Sequence, residues 1–164
     1  MDTERLFIRP LSEKDAQFIF ELLNTERWIR YIGNRHIHSE TDALAYIRKI
    51  NENPDIIYYT VTLRQNCAPI GLVTLIRRDY LDFRDIGFAF LPAYSGKGYA
   101  YEAAKAVVEH QAENAETLLA VTLPDNTASI RLIEKLGLRF ERVIERDKES
   151  LYLYSSLTGQ AFRS

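Results

Sequence analysis

The stretch DIGFAFLPAYSGKGYAYEA, residues 85–103, decides the fold of this chain. Residues 85–91 have the apolar and aromatic composition of a strand, which the following proline ends. The spacing of apolar residues after the loop predicts a helix over 98–114, and a second strand-like run follows at 117–123. A strand, a helix and a second strand in this order are typical of a parallel βαβ unit with a right-handed crossover.

The six residues SGKGYA at 95–100, which connect that strand to the first turn of that helix, predict an anion site. Glycines let the backbone turn tightly, and a helix N-terminus adds unpaired N–H groups and a positive dipole end. A group of phosphate size fits such a loop. The alternative is a glycine loop that only turns the chain. Walker and dinucleotide loops do not match, because Lys97 lies between two glycines and Tyr101 stands where a third glycine is needed.

The rest of the chain alternates between the periodicities of strands and helices. Further strands are predicted at 3–10, 56–64, 70–78, 138–145 and 149–155, and further helices after Ser12, Ser39 and Asn126. A chain of 164 residues fits a single domain, 1–164. We therefore predict a mixed α/β fold, with a largely antiparallel sheet of about seven strands flanked by about four helices.

The composition excludes several classes of function. A net charge of −2 disfavours a dedicated nucleic-acid binder, which needs a concentrated basic face. One cysteine excludes an internal disulfide, and the three histidines show no zinc-ligand spacing. No apolar run approaches the roughly 18 residues of a membrane helix, and residues 1–10 lack the apolar core of a signal peptide. We expect a cytoplasmic protein without a metal, a membrane or a nucleic-acid partner.

Four stretches carry a family resemblance. Residues 85–103 resemble the acetyl-CoA-binding segment of the GNAT superfamily of N-acetyltransferases. The run NTAS at 126–129 and the ending at 134–138 are similar to the Asn-x-x-Ser helix of the ribosomal-protein N-terminal acetyltransferase branch. Residues 3–11 and 69–71 resemble that branch as well. The resemblance covers nearly the whole chain in order and implies the GNAT-like acyl-CoA N-acyltransferase fold.

The resemblance implies acetyl-CoA as the cosubstrate and no metal. The pyrophosphate-binding loop of the family falls on Ser95, Gly96, Lys97, Gly98, Tyr99 and Ala100. Ser95 departs from the usual arginine or glutamine, which removes one side-chain donor. The family also places a bulge in the preceding strand, where the backbone of Phe90 and Leu91 would bind the pantetheine arm. Asn126 matches the asparagine that hydrogen-bonds this arm.

Acetyl transfer from a thioester to an amine requires a neutral amine, a stabilised oxyanion and protonation of the leaving thiolate. A backbone N–H near Phe90 is our candidate for the oxyanion donor. Many family members carry a tyrosine as the acid for the thiolate, but its position here is Ile133. Ser129, one turn earlier, matches the serine to which the ribosomal-protein branch assigns this role. The alternative is a first-turn serine that bonds its own backbone.

The general base is less well defined by the sequence. Asp85 begins a strand at which many family members carry a carboxylate. The alternative is a solvated carboxylate that pairs with Arg84 or another neighbour. Glu145, Asp147 and Glu149 around the last predicted hairpin are weaker candidates.

The acceptor amine follows from the same chemistry. An α-amine with a pKa of about 7.7–8.0 is roughly 10–15% neutral at pH 7, whereas a lysine amine is below about 0.1% neutral. Without a clear strong base, we predict N-acetylation of a protein or peptide N-terminus. The alternatives are a small amine, such as an amino acid, polyamine or aminoglycoside, and a non-catalytic acyl-CoA-binding module. Trp28 and Tyr31 are candidates for lining the acceptor site, or for packing on the core; the sequence leaves the oligomeric state open.

Overall fold

The computed structural model describes residues 1–156. The strands are β1 (Leu6–Pro10), β2 (Ile56–Leu63), β3 (Pro69–Ile76), β4 (Asp85–Phe90), β5 (Leu119–Thr122), β6 (Arg139–Arg146) and β7 (Glu149–Ser155). The helices are α1 (Ala16–Leu23), α2 (Glu26–Tyr31), α3 (Glu40–Glu52), α4 (Tyr99–Ala112) and α5 (Thr127–Lys135). No helix among these has the length and apolar composition that crossing a membrane requires.

The strands form one mixed sheet in the order β1-β2-β3-β4-β5-β7-β6. Every neighbouring pair is antiparallel except β4 and β5, which are parallel and are joined through α4. The predicted mixed α/β fold and its βαβ unit are therefore confirmed. Helix α2 is an addition to the predicted elements. Its start is capped by the Thr25 side chain, which accepts from Trp28 N–H at 3.3 Å, but its six residues are too few for a periodic pattern.

Each face of the sheet carries its own hydrophobic core. On one face, α4 and α5 bury Ala103, Val107 and Ile133 against β1–β4. On the other face, α1, α2 and α3 pack around Trp28 and Leu72. Side chains along a strand alternate between the two faces. Strand β4 therefore contributes to both cores, and its carboxyl end lies between the loop that begins α4 and the helices that follow β1.

A buried ion pair orients the start of the first helical segment. Ser12 and Asp15 form the predicted capping box. The Asp15 carboxylate also accepts two hydrogen bonds from Arg9, at 2.9 and 2.8 Å, and one from the Thr60 hydroxyl at 2.9 Å. Burial alone would raise the pKa of Asp15, but these donors lower it below its ordinary value. The ion pair links β1 and β2 to the helices of one face.

Candidate active site

Strands β4 and β5 separate after their first residues. Their pairing consists of Asp85 opposite Leu119, although both strands continue beyond these positions. Strand β5 instead follows β7, with which it pairs along its whole length. A gap therefore opens between β4 and β5 toward their carboxyl ends.

The backbone of β4 presents unpaired groups to this gap. Leu91 N–H donates to the Ile70 carbonyl of the neighbouring chain segment at 2.9 Å. Because hydrogen-bonded and non-hydrogen-bonded pairs alternate along an antiparallel ladder, the N–H and C=O groups of Phe88 and Phe90 point away from β3 and toward β5. These groups are therefore free to form hydrogen bonds with a molecule bound in the gap.

The bulge that the resemblance implied at Phe90 and Leu91 is absent. The register between β3 and β4 is continuous from Gly71 opposite Phe90 to Ile76 opposite Asp85, and the Leu91 hydrogen bond extends the same register. The gap arises because β5 is short and diverges with β7, so no extra residue in β4 is needed to open it.

A close approach across the sheet holds Phe90 in place. A Cβ built on Gly71 would lie 2.6 Å from two atoms of the Phe90 ring. Glycine is therefore needed at position 71, because any side chain would displace the ring. The Phe90 ring packs on the core beneath α4, and its backbone faces the gap.

The loop before α4 has the geometry of an anion cradle. Gly96 and Gly98 adopt left-handed φ angles of +74° and +81°, and Gly98 caps α4. The N–H groups of residues 96–101 donate no hydrogen bond to the residues that the structure describes. Ser95 differs, since its N–H donates to the Pro92 carbonyl at 3.1 Å. A pyrophosphate fits the unused N–H groups and the positive end of the helix.

An arginine from the N-terminal segment braces this loop. Arg5 donates to the Lys97 carbonyl at 3.0 Å and to Glu102 Oε1 at 2.7 Å. Its guanidinium also lies 4.4 Å from the centroid of the Tyr99 ring. Arg5 therefore places a cation beside the cradle, although position 95 lacks one.

The start of α5 faces the other side of the gap. Asn126 Oδ1 caps this helix by accepting from Ser129 N–H at 3.3 Å, and it also accepts from Arg27 at 3.3 Å. The Asn126 amide Nδ2 makes no hydrogen bond to the described residues, so it is available to the cofactor arm. The Ser129 hydroxyl likewise makes no hydrogen bond to them, so the alternative of a serine bonded to its own backbone is not seen.

A cleft with a volume of ≈ 770 Å³ joins the carboxyl end of β4 to the start of α5, while Arg5 and Gly98 line a separate pocket. Phe90, Asn126 and Ser129 line the cleft, and so do Trp28 and Tyr31. Trp28 is also buried in the core around α1–α3. It therefore both packs on the core and lines the cleft, the two alternatives that the sequence left open. The guanidinium groups of Arg27 and Arg30, on the same helix, lie 5.2 and 4.8 Å from the centroid of the Tyr31 ring. The cleft connects the gap in the sheet to Trp28 and Tyr31 on α2.

Asp85 lines the opposite end of this cleft. It is 5% exposed and its carboxylate accepts from Arg78 Nε at 3.1 and 3.2 Å, so its partner is Arg78 rather than Arg84. Burial raises the pKa of the Asp85 carboxyl, and the ion pair with Arg78 opposes that rise. Phe90 is the fifth residue after Asp85 along β4, which places their Cα atoms roughly 17 Å apart. Direct proton transfer to Asp85 from an amine at Phe90 would therefore need intervening water.

Glu149 lies nearer the gap than Asp85 does. It lines the same cleft and precedes Tyr152, which pairs with Thr122 at the carboxyl end of β5. Glu149 therefore lies beyond the carboxyl end of β5, at the same end of the strands as Phe90. Among the three weaker base candidates around the last hairpin, Glu149 is the one that lines the cleft.

Sequence reasoning missed three features of this site. A glycine inside a strand is a signal of close backbone approach, and it could have marked Gly71. Arg5 belongs to the stretch 3–11 that carries the family resemblance, but no pattern in the sequence indicates that it braces the loop at 95–100. The hydroxyl pair of Tyr46 and Tyr58, 3.0 Å apart at the cleft, has no signal in the sequence.

Comparisons with known proteins agree with this geometry. The family model described as an acetyltransferase (GNAT) domain matches residues 5–139. The uncharacterized N-acetyltransferase YnaD of Bacillus subtilis (strain 168) is 33% identical over 141 residues, which are 85% of this chain and 82% of that protein.

Solved structures show the same fold. A GNAT-family acetyltransferase from Bacillus anthracis has a TM-score of 0.79 at 27% identity and covers 94% of this chain and 96% of its own. RimL, a ribosomal L7/L12 α-N-protein acetyltransferase in complex with coenzyme A, has a TM-score of 0.80 at 12% identity, covering 93% and 94% of the two chains. At that identity the second likeness concerns the fold alone.

Proposed function

The chain belongs to the GNAT acetyltransferase family, and on that premise we propose that it acetylates the α-amine of a protein or peptide N-terminus. The observation that carries the proposal is the cleft that joins the β4–β5 gap to Trp28 and Tyr31. An acyl group held in the gap and an amine held between α2 and α5 would meet there. Direct transfer needs such a shared space, because both reactants must approach to about 3–3.5 Å.

The described residues have separate roles in this proposal. Bound acetyl-CoA supplies an activated acetyl group. The loop of residues 95–100 and Asn126 hold its phosphates and its arm. Phe90 N–H stabilises the oxyanion. The amine nitrogen forms a bond to the acetyl carbon and loses a proton to water in the cleft, and the carbon–sulfur bond breaks. The Ser129 hydroxyl donates a proton to the thiolate and regains one from that water.

The preference for an α-amine rests on where the carboxylates lie. The buried carboxylate, Asp85, is held by Arg78 at the far end of the cleft, and the other lining carboxylate, Glu149, is exposed. Neither is a desolvated base beside Phe90. Without such a base, the acceptor amine must already be neutral when it attacks. At pH 7 the neutral fraction of an α-amine is at least about 100 times that of a lysine amine.

A pair of isomeric peptides tests the proposal. One has a free α-amine and an Nε-acetylated lysine, and the other has an acetylated α-amine and a free lysine. The two have the same composition and net charge. We expect kcat/KM, measured by thiol release at pH 7, to be about 100-fold higher for the free α-amine. An equal or higher value for the lysine isomer would contradict the proposal. Binding of acetyl-CoA without turnover of peptides, amino acids or polyamines would indicate the non-catalytic module.

Ser129→Ala should reduce kcat by about 100-fold at pH 7, as loss of a general acid does. The loss should shrink as the pH rises past about 8.5, because a thiol of that pKa increasingly leaves as the thiolate without help. Stopped assays across this pH range would measure the effect. A reduction that stays the same at every pH would assign Ser129 a structural role at the start of α5.

A further inference from the structure

The charged side chains that line the cleft are mostly cationic. They are Arg27, Arg30, Arg35, Lys49 and Arg78, against Asp85 and Glu149. Asp85 neutralises Arg78, and Asp125 outside the cleft pairs with Arg30 at 2.9 Å. Arg27, Arg35 and Lys49 form no ion pair with the described residues. Arg27 donates to Asn126 Oδ1 at 3.3 Å, whereas Arg35 and Lys49 have no hydrogen-bond partner among the described side chains. The cleft therefore holds three cations without a carboxylate partner, of which Arg35 and Lys49 are also without a hydrogen bond, and its remaining carboxylate, Glu149, lies at the end of the strands where acetyl transfer is proposed.

These two cations lie beside the hydroxyl pair of Tyr46 and Tyr58. Lys49 follows Tyr46 by three residues on α3, so both project from the same face of the helix. Arg35 is close enough to Tyr58 to lower the pKa of its hydroxyl, against burial, which raises it. A guanidinium, an ammonium and two hydroxyls thus line the same cleft, and we call the part of the cleft that these four side chains line the recess. Carboxylates and phosphates accept hydrogen bonds from groups of these kinds.

The register of the sheet sets the distance from this recess to the transfer point. Tyr58 pairs with Thr74, and Thr74 pairs with Gly87. Gly87 precedes Phe90 by three residues, which is about 10 Å along β4, and Tyr58 lies two strands away, which adds about 10 Å across the sheet. Tyr58 is therefore about 14 Å from Phe90 in the plane of the sheet. The carboxylate of a free amino acid is too close to its own amine to span this distance. An extended peptide advances about 3.3–3.6 Å per residue, so the side chain of its fourth residue reaches the recess.

We propose that the acceptor is an α-amine with a carboxylate or phosphate about 14 Å away, and that Arg35 and Lys49 bind this anion beside Tyr46 and Tyr58. The inference rests on the proposed α-amine function and adds the class of acceptor to it. It disfavours polyamines and basic peptides, whose charges would face Arg35 and Lys49 without a partner.

C-terminally amidated pentapeptides Ala-Ala-Ala-X-Gly with a free α-amine test the inference, with X as glutamate, glutamine, lysine, serine or phosphoserine. We expect kcat/KM for glutamate to exceed that for glutamine by about tenfold or more, as a charge-assisted hydrogen bond provides, and lysine to be the poorest. The phosphoserine-to-serine ratio, compared with the glutamate-to-glutamine ratio, tells which anion the recess prefers. The preference should weaken in high salt.

Variants locate the effect. In the double variant Arg35→Gln/Lys49→Gln, the glutamate-to-glutamine ratio should fall toward one. Arg48→Gln is the matched control, since Arg48 is adjacent on α3 but pairs with Glu13 at 3.0 Å and does not line the cleft. A ratio near one in the parent, or a ratio that survives in the double variant, would overturn the anion inference alone. No turnover of any of these peptides by a parent that binds acetyl-CoA would overturn the proposed function with it.

Discussion

Gly98→Glu is expected to weaken acetyl-CoA binding by at least about 100-fold, the equivalent of losing two or more charge-assisted hydrogen bonds. Gly98 lies at the N-terminus of α4 with φ of +81°, among N–H groups that donate to no described residue. A carboxylate there would occupy the cradle and accept hydrogen bonds from these N–H groups itself. It would also repel the phosphates. Titration calorimetry with acetyl-CoA measures the change directly.

Two alanine variants separate charge from backbone strain. Gly98→Ala imposes the same left-handed conformation without the carboxylate, at a cost of about 1–2 kcal/mol. Gly137→Ala imposes a similar strain at φ of +96°, at the end of α5 and with open space around the added methyl. Both should remain folded in thermal melts and bind acetyl-CoA better than Gly98→Glu does. Unchanged binding by a folded Gly98→Glu variant would remove the cradle from the proposed site.

Gly71→Ala is expected to lower kcat/KM by about 100-fold, because displacement of a catalytic group by about 1 Å has an effect of this size. The new methyl would overlap the Phe90 ring, whose backbone faces the gap. Overpacking of this kind also costs about 1–3 kcal/mol of folding free energy. Thiol-release assays at saturating acetyl-CoA, together with chemical denaturation, would measure the two effects separately.

A double-mutant cycle with Phe90→Ala tests the cause. Alanine lacks the Cγ, Cδ2 and Cε2 atoms that oppose residue 71, so Gly71→Ala should cost less stability in the Phe90→Ala background than in the parent. Additive costs would show that the contact is not the reason for glycine at position 71. The cycle does not depend on the identity of the acceptor.

Short-range patterns explain why part of the site could be predicted. Gly96 and Gly98 adopt positive φ angles, and Ser12 and Asp15 form their capping box, because each arrangement involves residues within a few positions of one another. The predicted bulge failed for the opposite reason. It was carried over from the family, whereas the gap here depends on how far β5 pairs with β7 rather than on any local feature of β4.

By itself, the sequence determined the order of strands and helices, the parallel unit around α4 and the glycine loop that can hold an anion. Only the tertiary structure decided which distant groups complete them: Arg5 on the Lys97 carbonyl 92 residues away, Phe90 against Gly71, and Arg35 and Lys49 beside the Tyr46–Tyr58 pair. Turns, caps and helical faces follow from the conformational preferences of neighbouring residues. Contacts across a sheet depend instead on strand order, register and twist, which the packing of both cores sets together.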